Sequence, residues 1–157
     1  MELNTKVADF KLETDEEEKV SLSDFKGKPV VLFFYPRADT PGCTIEACGF
    51  RDTFKKLQAA GAVVLGISRD TPKAQAKFRA KYDLPYTLLA DVDEKVCNLF
   101  GVMKEKNMYG KKVWGIERTT FVIGPDQTLL HIFHKVTPEG HAEEVLAVIK
   151  DWKKAHK

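Results

Sequence analysis

Apolar residues fall into short solid runs separated by longer stretches with helical spacing. Val30 to Tyr35 is apolar on both alternating faces, the signature of a central strand covered on two sides. Ala62 to Ser68 is a second such run, and Tyr86 to Ala90 a shorter third. Between the first two, Ala47, Phe50, Phe54 and Leu57 recur at helical spacing, so a helix is predicted over 44–60 with Gly61 as its stop. Thr71 and Pro72 open a second helix, as cap and first-turn proline, running to about Tyr82. Asp91 or Asp93 caps a brief helix through Phe100. Glu117 to Ile123 and Thr128 to Val136 pair as a hairpin across Gly124-Pro125-Asp126. A last helix, near Glu139 to Ala155, carries the stripe Ala142, Val145, Leu146, Ile149 and Trp152. At the N-terminus, Val7–Leu12 and Lys19–Leu22 alternate loosely and form a predicted hairpin. Its acidic tip, Asp15 to Glu18, reads as a solvated turn, with an acidic docking patch as the other reading. Ser23 to Pro29 reads as one helical turn. Met103 to Gly115 is polar and reads as a long loop. The strand–helix–strand–helix order implies an α/β fold with parallel pairing, helices on both faces and antiparallel strands added at the end.

At 157 residues the chain is expected to form a single domain, 1–157, with a sizeable core. Its net charge of +2 gives no footprint for nucleic acid. No apolar run approaches the ~18 residues of a membrane span, and no signal peptide is visible at Met1-Glu2-Leu3-Asn4. Three cysteines are too few for a disulfide-stapled secreted scaffold. The expectation is a cytoplasmic protein whose thiols are kept reduced.

The chemistry gathers at Pro36-Arg37-Ala38-Asp39-Thr40-Pro41-Gly42-Cys43, where a strand, a tight turn and a helix meet. A helix start carries unpaired N–H groups and partial positive charge, which favour the reactive thiolate over the thiol. A second cysteine, Cys48, follows five positions on. Mixed strand order with a cysteine at the first long helix resembles the thioredoxin fold: a mixed central sheet flanked by helices, here with an N-terminal hairpin. Pro36-x3-Thr40-x2-Cys43 matches the P-x-x-x-[TS]-x-x-C motif of peroxiredoxins. The spacing of Cys48 is similar to that of the peroxiredoxin Q, or bacterioferritin comigratory protein, subfamily. Glu117-Arg118-Thr119-Thr120-Phe121 resembles the strand carrying that family's active-site arginine. The likeness runs from about Val7 to the end.

The resemblance implies an antioxidant thiol peroxidase acting on hydrogen peroxide and organic hydroperoxides in cell redox homeostasis, without cofactor or metal. By resemblance Cys43 is the peroxidatic nucleophile and Cys48 the resolving partner, with Thr40, Arg118 and Pro36 around the sulfur. Attack on a hydroperoxide would give a sulfenic acid, and a second thiol would then give a disulfide. Arg118 offers fixed donors to the developing negative charge. Thr40 can accept from one peroxide oxygen or donate to the other. Pro36, with no N–H, would cover the thiolate. Glu46 orients the arginine by resemblance, but it reads equally as an exposed helix glutamate. Five helical residues rise about 7.5 Å and turn about 140°. Cys43 and Cys48 therefore cannot join until the first turns unwind, and Gly49 lowers that cost. The family implies reduction by thioredoxin and a monomer.

Other readings stand beside these. Cys48 also reads as structural, leaving a one-cysteine enzyme. Cys97, beside Val96, Leu99 and Phe100, reads as a buried small hydrophobe. Some relatives resolve from a mid-chain helix, but Phe78-Arg79-Ala80-Lys81 has no cysteine. His131 and His134 point to opposite faces of a strand, and no zinc set is visible. The absence of C-x-x-C argues against a thioredoxin-type disulfide reductase, and a disulfide oxidoreductase acting on proteins stays as a weaker third reading. Met103, Met108, Tyr109 and Trp114 form either an apolar rim or ordinary loop packing. The alternative function is a non-enzymatic redox sensor using the same disulfide as a switch.

Overall fold

The computed structural model describes residues 1–156, and the Met108 side chain lies outside the described residues, so its part in an apolar rim is not addressed. Among the described residues, nine strands and four α-helices follow one another as β1 (Lys11–Thr14), β2 (Lys19–Ser21), β3 (Val30–Phe34), α1 (Pro41–Ala59), β4 (Val63–Ser68), α2 (Pro72–Lys81), β5 (Thr87–Ala90), α3 (Lys95–Leu99), β6 (Met103–Met108), β7 (Lys111–Ile116), β8 (Thr119–Ile123), β9 (Leu129–Phe133) and α4 (His141–Ala155). A 3₁₀ turn, Leu22–Phe25, follows β2.

Seven strands make one sheet in the order β2-β1-β5-β4-β3-β8-β9. β3, β4 and β5 are parallel, as their helical crossovers require, while β1, β8 and β9 run antiparallel to their neighbours. β3 lies near the centre, and all five of its side chains are fully buried. Burying each such side chain is worth roughly 1.5–3 kcal/mol. Alternation sends them to two cores. Val31, Phe33 and the adjoining Tyr35 pack with Cys43, Ala47 and Phe50 of α1, Phe78 of α2, and Val145 and Ile149 of α4. Leu32 and Phe34 pack with Leu65, Ile67, Leu22 and the α3 residues Val96 and Cys97. This is the mixed, helix-flanked, thioredoxin-like sheet expected from the sequence.

Local chemistry sets several ends as expected. The Thr71 hydroxyl accepts from Ala74 N–H at 3.2 Å and Pro72 opens α2. Of the two candidate caps for α3, Asp91 takes the buried role, accepting from Val96 N–H at 3.2 Å and Cys97 N–H at 2.6 Å. Asp93 receives only Lys95 N–H, at 3.3 Å.

Several expectations are corrected, among them the strands predicted from Glu117 and from Val7, which start at Thr119 and Lys11. The long helix starts at Pro41, with Thr40 as the residue before it, because proline suits the first helical position. The segment 103–116 is an antiparallel ribbon, β6 paired with β7 from Met103↔Ile116 to Met108↔Lys111. Its turn residues Tyr109 and Gly110 have φ of 53° and 79°, the left-handed pair that a tight hairpin needs. Asp15 at the acidic tip is not solvated. It is buried, accepts Leu88 N–H at 3.1 Å and pairs with Arg79 at 3.2 Å. The strand predicted to Val136 ends at Phe133.

Candidate active site

Cys43 is the third residue of α1, and its side chain lies in the core with Ala47 and Phe50. One turn on, Glu46 shares that buried stripe and is 1% exposed. The exposed-glutamate reading is therefore set aside. Arg118 lies between β7 and β8, and β8 pairs with β3 on the side opposite β4. That pairing carries the arginine to the start of α1. Its Nη1 donates to Glu46 Oε1 at 2.9 Å, and its Nη2 approaches Cys43 Sγ at 3.5 Å.

The two partners titrate unusually. Burial pushes Glu46 up to about 7, against the pull of Arg118. The other carboxylate oxygen, Oε2, is buried with no hydrogen-bond partner among the described residues. Burial opposes the charge on Arg118, but Glu46 and Cys43 outweigh it and hold the guanidinium above its ordinary value. A buried carboxylate close to neutrality and a firmly charged arginine thus share one contact beside a thiol.

Pro36 and Thr40, both half-buried, lie on the segment from β3 to α1. The Thr40 hydroxyl donates to the Arg37 carbonyl at 2.9 Å, which leaves its oxygen lone pairs free to accept. Thr40 C=O receives Thr44 N–H at 2.9 Å, closing the first helical turn.

Cys48 is half-buried on the other side of α1, near Arg51 and Asp52, and burial pushes its thiol up. All three cysteines are free. Cys97 is fully buried in the opposite core, its thiol raised by burial and by a hydrogen bond with Asp91.

Sequence reading missed two neighbours. Gly42 is one: a Cβ built there would lie 3.0 Å from Arg118 Nη2. The bare α-carbon makes room for the guanidinium, and a glycine directly before the cysteine was the available signal. Lys106 on β6 is the other. Its charge is opposed first by burial, then by Arg118, and favoured by Cys43, so the ribbon read as a loop reaches the field of the site. Of the four residues considered as an apolar rim, Met103 is core, whereas Tyr109 and Trp114 are exposed. Among the described residues, no three His, Cys, Asp or Glu side chains form a metal-holding group.

A thioredoxin-like sheet presenting a helix-start cysteine to an arginine just before the neighbouring strand defines a class, the thiol-dependent peroxidases. The AhpC/TSA family model matches residues 3–132. A putative peroxiredoxin bcp of Coxiella burnetii is 53% identical over 93% of this chain and 97% of its own. The peroxiredoxin Bcp of Bacillus subtilis is 42% identical over 96% of each. Among solved structures, a cysteine-to-serine mutant of Xylella fastidiosa PrxQ superposes with a TM-score of 0.93 at 36% identity over 98% of both chains. The Xanthomonas campestris bacterioferritin comigratory protein, studied for its alkyl peroxide reduction activity, gives 0.86 at 40% identity over 90% of each. The chain belongs to the AhpC/TSA family, as a peroxiredoxin of the Bcp, or Q, type.

Proposed function

We propose that this peroxidase reduces hydrogen peroxide and alkyl hydroperoxides through Cys43, with Cys48 as its resolving thiol. The observation that carries the reading is the Arg118 guanidinium, 2.9 Å from Glu46 and 3.5 Å from the Cys43 sulfur. The Cys43 thiolate attacks the terminal oxygen of ROOH. The O–O bond breaks, sulfur becomes a sulfenic acid, and RO⁻ leaves as ROH with a proton from solvent. Arg118 stabilises the negative charge passing from sulfur to the departing oxygen. Glu46 holds the arginine in place. Thr40 accepts the hydroperoxide O–H, because its own proton is committed to the Arg37 carbonyl. Pro36, lacking an N–H, shields the sulfur from water.

The sulfenic acid then condenses with the Cys48 thiol, forming the disulfide and releasing water. Cys43 faces the core and Cys48 the opposite side, so the first turns of α1 unwind in each cycle. A dithiol protein of the thioredoxin kind reduces the disulfide by exchange. The working form is a cytoplasmic monomer, a single domain over 1–157. The alkyl peroxide activity named for the Xanthomonas relative supports the substrate class. Peroxide-dependent NADPH consumption with thioredoxin and its reductase tests the reading. Turnover abolished by Cys43→Ser, with a Cys43–Cys48 disulfide mapped by mass analysis, is the expected result. A disulfide forming without turnover would convert the reading into a redox switch.

A further inference from the structure

The peptide unit joining Arg37 to Ala38 is held at both ends. Its carbonyl accepts the Thr40 hydroxyl at 2.9 Å, and its N–H donates to Asp70 Oδ2 at 2.7 Å. Asp70 lies two residues beyond β4, at the carboxyl edge of the parallel strands where open α/β sheets place their sites. Its carboxylate is itself fixed. The same Oδ2 receives the Ser68 hydroxyl at 2.5 Å, and the Asp70 N–H donates back to Ser68 Oγ at 3.2 Å. Ser68 is fully buried and takes a further bond from Gln75 Nε2 at 2.9 Å. Gln75, also fully buried, donates to Leu89 C=O at 2.8 Å and accepts the Tyr35 hydroxyl at 2.5 Å. A satisfied buried chain of this kind specifies one arrangement, since any break strands a polar group.

The next residue is pinned as well. Asp39 sits at φ 58°, a left-handed conformation that strains a non-glycine residue. Its carboxylate receives Lys81 Nζ at 2.8 Å and the Tyr82 hydroxyl at 2.7 Å, both from the end of α2. The turn before Cys43 is thus tied to β4 through one carboxylate and to α2 through another. Neither tie touches the sulfur or Arg118.

We propose that Asp70 is a positioning residue for the peroxide step: it sets the Arg37–Ala38 peptide plane, and that plane fixes the Thr40 hydroxyl as an acceptor. Without Asp70 the plane is free to turn, the Arg37 carbonyl leaves Thr40, and the hydroxyl loses its assigned polarity. The substrate O–H is then met by a rotating group in place of a fixed acceptor. This deepens the peroxidase reading and rests on it.

The test uses the full chain with Asp70→Ala and Asp70→Asn. The rate constant for Cys43 oxidation by hydrogen peroxide is measured before turnover. Alongside it go the rate of disulfide formation, the rate of Cys43 alkylation by iodoacetamide, and the thermal midpoint. Asp70→Ala is expected to slow oxidation by about 10- to 100-fold, the scale of a small misplacement of a reacting group. Alkylation, which needs the sulfur and not the acceptor, should change less than about twofold, as should disulfide formation. Asp70→Asn keeps an acceptor oxygen and should recover most of the oxidation rate. Oxidation of Asp70→Ala at the parent rate overturns the proposal. So does a loss that falls equally on alkylation and thermal midpoint and that Asp70→Asn does not repair, which is the mark of general structural damage. A parent protein that consumes no peroxide would instead remove the peroxidase reading itself.

Discussion

Arg118 bears most of the weight at the scale of single residues. Arg118→Ala should lower kcat/KM for hydroperoxide by about 10²–10³, the loss typical of one donor to a developing oxyanion. Steady-state peroxide kinetics measures it. Gly42→Ala puts a methyl group 3.0 Å from the same guanidinium. It should reduce the oxidation rate by about tenfold with little change in thermal midpoint, because only the arginine is displaced. Glu46 makes a prediction about pH. Its folded-state value is raised to about 7, above the ordinary ~4.3 it regains on unfolding. Between those values the native state holds more protons than the unfolded chain, so this group makes stability fall as pH rises from ~4.3 to ~7. Glu46→Gln should remove that slope, read by denaturant unfolding across the interval. An unchanged slope would mean that another group is responsible. Cys43 was legible from its motif, whereas Glu46 was not settled by helical spacing alone. It lies three residues from Cys43 and four from Phe50, on the apolar stripe, and a carboxylate there needs a buried cationic partner. That partner is 72 residues away, so no local pattern names it.

The helices and strands differ in how clearly their residues announce them. β3 reads as central because apolar side chains fill both of its faces. The β6–β7 ribbon escaped notice because most of it is exposed on both faces and shows no period of two. Among its described side chains, the apolar ones that enter the core are Met103 and Ile116. The Tyr109–Gly110 turn was the remaining clue. For α1 the start at Pro41 was legible by the logic applied at Thr71–Pro72. The proposed unwinding of α1 gives a test at this scale. A Cβ at Gly49 would meet Ala142 Cβ at 3.9 Å, an ordinary contact. Gly49→Ala should therefore stabilise the helix by about 1 kcal/mol and slow disulfide formation about fivefold. The preceding oxidation of Cys43 should keep its rate, and stopped-flow measurements resolve the two steps.

At the scale of the whole molecule, alternation of strand and helix was enough to predict parallel β3, β4 and β5. It did not reveal that β1 lies against β5, because that contact joins Glu13 to Ala90 across most of the fold. The same sheet separates the thiols. Cys43 and Cys48 belong to α1, and Cys97 is sealed in the core on the other face. Native protein treated with an alkylating reagent should lose Cys43 and Cys48 as free thiols while Cys97 survives until denaturant is added. Peptide mass mapping reads the difference. Early labelling of Cys97 would mean that the α3 side opens far more readily than its packing suggests.

The floor beneath α1 has a kinetic consequence. His141 at the start of α4 is fully buried, bonded to Thr120 at 2.8 Å and set edge-on to Phe50 at 5.7 Å. In the proposed cycle the far half of the helix, through Phe50 and Leu57, stays seated there while its first turns come loose. Rewinding then extends a helix that already has a nucleus, and each added residue takes about a nanosecond. On that reading the enzyme re-arms as soon as the sulfur–sulfur bond is cut, and the waiting time of each cycle belongs to its encounter with the reductant.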